Sequence, residues 1–281
     1  MSRTALLCAA VSVVIAASGL RAQSPPPKAP AFEVVSIRPH KTLERGGSLK
    51  FQPGGHFEGT NIYVLALIAT AFRKDAPLLP TQIEGGPDWI RYDRYDVLAK
   101  IDTPAGDESA LYRQLPALLR PVLEQRFRLQ AHWVTRQLPI YALVLAGKDG
   151  EFGPQFRLTT CSPRPETLRP HLETTIDKNR RMCEPSSVAY GVFDAHGISM
   201  LSLVSALSSS LDRVVLDRTG LQGMYDLTLR WTPDWTPQSN ADPNVPTLPT
   251  ALQEQLGLKL ESTKGPVDVL VIDHVERPTL D

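Results

Sequence analysis

The sequence predicts an α+β fold made of two tandem copies of a β-α-β-β-α-β-like module with small mixed or antiparallel sheets. An internal repeat carries the duplication: Gly55, Phe57, Glu58, Ile62, Leu65 and Leu67 recur at one constant offset as Gly191, Phe193, Asp194, Ile198, Leu201 and Leu203. Helical and strand-like periodicities also alternate within each copy, which excludes an all-helical or all-strand chain.

The elements follow in chain order. Phe32 to Ile37 is rich in β-favouring residues and opens the first module as a strand. Ile62, Leu65, Ala69 and Phe72 step by three and four residues, the mark of one apolar helical face, and Leu201, Val204, Leu207 and Leu211 do the same later. The equivalence of Leu65 and Leu201 makes both buried leucines in this reading. Tyr95 to Ile101 and Tyr225 to Trp231 read as strands. A second helix runs from about Asp107 to Phe127, where Pro116 and Pro121 each remove an amide donor and are expected to kink or split it. Its counterpart starts near Pro249, runs through Leu256 and stops at Gly257, which suits a left-handed C-terminal cap. Ile140 to Leu145 and Val267 to Val275 close the copies as strands.

The repeat stays in step through these elements. Tyr95 and Asp96 return as Tyr225 and Asp226; Leu123, Phe127 and Leu129 as Leu252, Leu256 and Leu258; Pro139, Ile140 and Leu143 as Pro266, Val267 and Leu270. The stretch 147–190, rich in Pro, Thr and charge, reads as a connector, and Asp234 to Pro246 as a surface insertion. The organisation is therefore a signal peptide at 1–22, a Pro-rich linker at 23–31, modules at 32–146 and 191–281, and the connector between them.

The compartment is read from the first residues. Arg3 precedes an apolar run from Ala5 to Ala17, and small residues lead to Ala22 and Gln23, as in a secretory signal cleaved near Ala22. The run is shorter than the roughly 18 residues that span a bilayer, and no later segment reaches that length. Cleavage removes Arg3 and Arg21 from a chain with 30 basic and 30 acidic residues, leaving a slight acidic excess. Signs are mixed locally, as in Asp88, Arg91, Asp93, Arg94 and Asp96, so the sequence has no nucleic-acid-binding stripe. Cys8 leaves with the peptide, and Cys161 with Cys183 form an even pair that favours a disulfide outside the cytoplasm. Two sulfurs with only His171 between them do not complete a zinc site.

Catalytic motifs are sparse. Neither a Gly-x-Ser-x-Gly elbow, nor Ser-x-x-Lys, nor His-Glu-x-x-His, nor a phosphate-cradling loop occurs, and the six histidines have no metal-ligand spacing. No cofactor is expected. The repeated polar feature is the pair Tyr95-Asp96 and Tyr225-Asp226 at two strand starts. Its aspartates could serve as general bases, but a carboxylate holding backbone or arginine donors at a turn is the plainer account. Asp273 and His274 are neighbours on a strand and point to opposite faces. Trp231 and Trp235 are the aromatic pair best placed to stack on a sugar, although packing is the commoner role of such rings.

The segments 31–39 (AFEVVSIRP), 85–96 (GGPDWIRYDRYD), 217–226 (DRTGLQGMYD), 250–261 (TALQEQLGLKLE) and 269–278 (VLVIDHVERP) resemble a family of exported, functionally uncharacterised proteins abundant in soil acidobacteria. That resemblance spans nearly all of 32–278 and implies secretion and a domain of unknown function, with no active site to carry over. Some relatives are fused to membrane-embedded peptidases of the antibiotic-sensing type, which implies a sensing role by association; Pro116 and Pro121 depart from the uninterrupted helix of the family. Element order alone is similar to the short N-terminal modules of secretins and TonB-dependent receptors, which mediate protein contacts. The resulting expectation is an exported module that binds a protein or small ligand of the envelope without chemistry. The alternative is an extracytoplasmic hydrolase whose residues meet only in three dimensions.

Overall fold

Strand pairing joins the two halves of the chain through a shared central sheet. The structure, a computed structural model, describes residues 31–42, 46–101, 108–147, 151–159, 161, 183–189, 191–234, 236–237 and 242–279. The signal peptide, nearly all of the linker, most of the connector and Trp235 lie outside the described residues. Among the described residues the fold is mixed α+β, with three four-stranded sheets and few helices.

The strands of the first half are β1 (Phe32–Pro39), β2 (Ser48–Gln52), β3 (His56–Tyr63), β4 (Ile83–Gly85), β5 (Arg94–Ile101) and β6 (Gln130–Leu145). Those of the second are β7 (Phe156–Leu158), β8 (Glu184–Ala189), β9 (Val192–Ser199), β10 (Val215–Asp217), β11 (Met224–Arg230) and β12 (Leu258–His274). The first sheet has the order β1-β5-β3-β2 and the third β7-β11-β9-β8, both antiparallel. Between them lies β10-β6-β12-β4. There the long strands β6 and β12 pair antiparallel from Leu145↔Leu258 to Gln130↔His274.

The short outer strands of the middle sheet are exchanged. β4, from the first half, runs parallel to β12, and β10, from the second, runs parallel to β6. The expected modules with separate sheets are thus replaced by halves that interlock, because each closing strand finds its partner in the other half. Two cores result. One packs α1 (Val64–Phe72) and α3 (Glu108–Arg126) on the first sheet and takes in Leu270 and Ile272 of β12. The other packs α4 (Met200–Leu211) and the helix α5 (Leu248–Ala251), which widens into a π-turn over Leu252–Leu256, on the third sheet with Leu143 of β6. The short helix α2 (Trp89–Tyr92) sits before β5.

Local chemistry explains the element ends. Ser199 caps α4 by accepting the Ser202 N–H at 3.1 Å, and Gly257 ends the π-turn in the left-handed region at φ 71°, as its sequence position predicts.

Two expectations are corrected. α3 is continuous across Pro116 and Pro121. Pro116 leaves the Tyr112 carbonyl without its helical donor, and Arg73 Nη2 supplies the bond at 2.5 Å, so the missing amide is replaced from outside the helix. Leu201 is not buried: it is 58% exposed, while Met200, Leu203, Val204 and Leu207 form the buried stripe of α4. In α1 the stripe is Val64, Leu67, Ile68 and Ala71, a face turned by one residue from that read in the sequence, whereas in α4 Val204 and Leu207 of the face read in the sequence are buried.

Candidate functional site

The two Tyr-Asp pairs lie in different sheets and meet no common pocket. Tyr95 and Tyr225 are buried, and burial raises both phenols above their ordinary value, with the nearby Asp93 and Asp217 charges adding to it. Tyr225 stacks on Phe156 at 4.6 Å, and Tyr95 meets Phe127 edge-on at 5.9 Å.

Beside each aspartate the partner strand has a register shift that contains a residue at positive φ, Asn61 at 58° and Gly197 at 84°. Asp96 Oδ1 accepts the Asn61 N–H at 2.8 Å and the His40 Nδ1–H at 2.8 Å. His40 Nε2 lies 2.7 Å from Thr42 Oγ1, so an exposed hydroxyl, a nearly buried imidazole and a half-exposed carboxylate stand in line. Asp226 is held differently. Arg157 reaches its Oδ2 at 3.4 Å, whereas its Oδ1 is buried without a hydrogen bond, 3.9 Å from an equally unsatisfied His196 Nδ1. The same substitution therefore separates the pairs. Asp96→Asn, which weakens two charge-assisted bonds, should cost about 1 kcal/mol; Asp226→Asn, which removes a buried and under-partnered charge, should be near neutral or stabilising. Urea unfolding of both variants checks this, and equal losses would contradict it.

Asp226 and His196 line a small pocket of about 100 Å³, and a larger concave site lies where the loop after α1 approaches α4. A cleft of about 410 Å³, in the range of small-molecule sites, is walled by Phe72, Leu78, Trp133, Leu201, Val204 and Val215. Its rim is polar but internally paired. Lys74 Nζ sits 2.8 Å from Asp268 Oδ2 and 4.3 Å from the Trp133 ring centre. Asp268 Oδ1 also accepts Thr135 Oγ1–H at 3.1 Å. Ser208 donates to the Val204 carbonyl at 2.6 Å and accepts the Val215 N–H at 2.9 Å, and so it is not poised as a nucleophile.

The Lys74 bond, followed by the Thr135 bond, lowers the Asp268 carboxyl below its ordinary value. A depressed folded-state pKa adds stability above the unfolded value, and that stability is lost as pH falls through the folded one. Because both side chains are about half exposed, the loss should stay under about 1 kcal/mol. Asp268→Asn should accordingly flatten the decline in stability below about pH 4. Parallel slopes for variant and parent in acid unfolding would count against it.

A second pocket, of about 540 Å³, flanks the exposed side of α1 at Leu65, Ala69 and Arg91 and meets the cleft at Pro77 and Leu78. Neither Lys74 nor Asp268 was marked by the sequence reading. The usable signal was Leu201, an apolar residue one position away from a complete buried stripe. Among the described residues, no three of His, Cys, Asp and Glu group closely enough to hold a metal ion, and no helix is long and apolar enough to cross a membrane.

Cys161 and Cys183 form a disulfide, with Cα atoms 5.1 Å apart, packed against Gly197. Among known proteins, a family model described as "Protein of unknown function (DUF3738)" matches residues 65–275, well over half of the chain. No curated protein and no solved structure matches.

Proposed function

The chain belongs to the DUF3738 family, proteins of unknown function, and on that premise we propose that it is an exported, non-catalytic binding module of the cell envelope. One observation carries the reading: a cleft with apolar walls whose polar rim is already satisfied by Lys74, Asp268, Thr135 and Ser208. Such a site offers burial to a ligand, while Lys74, Asp268 and Ser208 are engaged with partners of the protein's own. Binding of a neutral apolar dye, N-phenylnaphthylamine, by the purified mature chain tests it; absence of binding would remove the reading. Export is proposed from residues 1–22, and N-terminal sequencing of envelope material should begin near Gln23.

The halves support descent from one duplicated module. Apart from the short α2, which stands between β4 and β5 in the first half, the orders β3-α1-β4-β5-α3-β6 and β9-α4-β10-β11-α5-β12 match, and Gly55 and Gly191 both precede their strands at φ 76°. An experimental structure in which the two sets of elements do not superpose would refute the duplication. The likeness to secretin and TonB-receptor modules rests on element order and adds no ligand to the proposal.

A second reading, an extracytoplasmic hydrolase, is favoured by the Thr42–His40–Asp96 alignment. Against it, the alignment lies outside the cleft and the pocket beside α1, and the Thr42–His40 bond spans only two residues on an exposed loop. Ester, peptide and glycoside turnover that His40→Ala abolishes in a folded protein would establish this reading over the first.

A further inference from the structure

A basic groove adjoins the apolar cleft, and the two meet at Lys74, Ala76 and Pro77. The groove, of about 710 Å³, is lined by Arg73, Lys74, Arg113 and Arg120, with Asp75 as the acidic member of its lining. From this juxtaposition we infer that the site takes an anionic amphiphile: a single apolar chain in the cleft and a terminal carboxylate or phosphate on the arginines. The inference rests on the binding reading and names its ligand class.

The cations are built into place. Arg73 Nη2 donates to the Tyr112 carbonyl freed by Pro116, and Arg120 Nε donates to the Ala71 carbonyl at the end of α1 while its guanidinium lies 4.9 Å from the Phe72 ring centre. Each anchor uses only part of a five-donor guanidinium and leaves the other N–H groups for an anion. Among the described residues, none of Arg73, Arg113 and Arg120 has an acidic side chain in ion-pair contact. Lys74, by contrast, is neutralised by Asp268 and lies along Trp133, which keeps the passage between cleft and groove lined by its alkyl stem. Phe72 belongs to the cleft wall and also lies under Arg120, so apolar surface leads directly to positive charge. A neutral apolar ligand would leave the arginines unused, and a hydrophilic anion would leave Trp133 and Leu201 unburied.

The test is displacement of N-phenylnaphthylamine from the mature chain by four monomeric amphiphiles of equal chain length: dodecanoate, dodecyl phosphate, dodecanol and dodecylammonium. Dodecanoate or dodecyl phosphate should act at roughly tenfold lower concentration than dodecanol and dodecylammonium, the value of one charge-assisted hydrogen bond. Comparison of the two anions tells a carboxylate head from a phosphate head. Arg113→Gln, at an exposed position, should shrink the preference, and added salt should weaken the anions alone. Equal displacement by all four, or a preference untouched by Arg113→Gln and by salt, would overturn the inference while the binding reading stands. Failure of the dye and of every amphiphile to bind would overturn both.

Discussion

Gly197→Ala should either destabilise the native protein by several kcal/mol or leave its disulfide open. At φ 84° the backbone of Gly197 is left-handed, which costs a residue with a side chain about 1–2 kcal/mol. A Cβ there would also lie 2.2 Å from Cys161 Sγ and 2.3 Å from Cys183 Sγ, distances that no bonded pair of sulfurs can absorb without moving. Overpacking of this kind costs a further 1–3 kcal/mol or so. The bridge spans a sequence separation of 22 residues and stabilises by about 3 kcal/mol in the chain-entropy model, so opening it is no easier escape. The variant should therefore lose about 2–5 kcal/mol or carry free thiols. Thermal unfolding together with non-reducing peptide mapping reads both outcomes. The mechanism makes a sharper demand through a double-mutant cycle: with Cys161 and Cys183 both replaced by Ala, the added cost of Gly197→Ala should fall towards the backbone penalty alone. An undiminished cost in that background would show that the sulfurs are not what the glycine accommodates.

The parts of this fold legible in the sequence are those set by neighbouring residues. Gly257 could be read as a left-handed cap because it follows the last apolar residue of a helix, and Tyr95 to Ile101 could be read as a strand from its own composition. Pairing between distant segments left no such mark. β4 and β10 are three residues each, too short for a periodic signal, yet they decide that the central sheet is shared. Pro116 was read correctly as the loss of a donor, but its consequence depended on Arg73, which lies 39 residues before Tyr112 along the chain and replaces the bond to that carbonyl. The cleft was hidden for the same reason. Leu201, Trp133 and Lys74 come from three separate elements, and their approach follows from how β6 and α4 pack beside the loop after α1. The Asp96 partners show a finer limit: the Tyr-Asp repeat is plain in the sequence, but His40 and Asn61 hold only the first copy, and Asp226 keeps an oxygen unsatisfied.

Leu203→Ala should destabilise the protein by about 2–5 kcal/mol, whereas Leu201→Ala, two residues away on the same helix, should change stability by less than about 0.5 kcal/mol. Leu203 is 0% exposed and sits in the second core with Leu207 and Val215, so truncation leaves a cavity that the third sheet and β6 cannot both move to fill. Leu201 is 58% exposed on the cleft wall, and its truncation removes little buried area. The sequence alone does not separate them, because α4 is apolar on more than one side: MLSLVSAL places hydrophobic residues around most of the helix, and only the position of the sheet selects the buried set. The two variants thus test folding and function independently. Urea unfolding should find Leu203→Ala weakened, while dye binding should find Leu201→Ala impaired at unchanged stability. If Leu201→Ala instead costs as much as Leu203→Ala, then Leu201 is covered in the native protein, and the cleft it walls is closed.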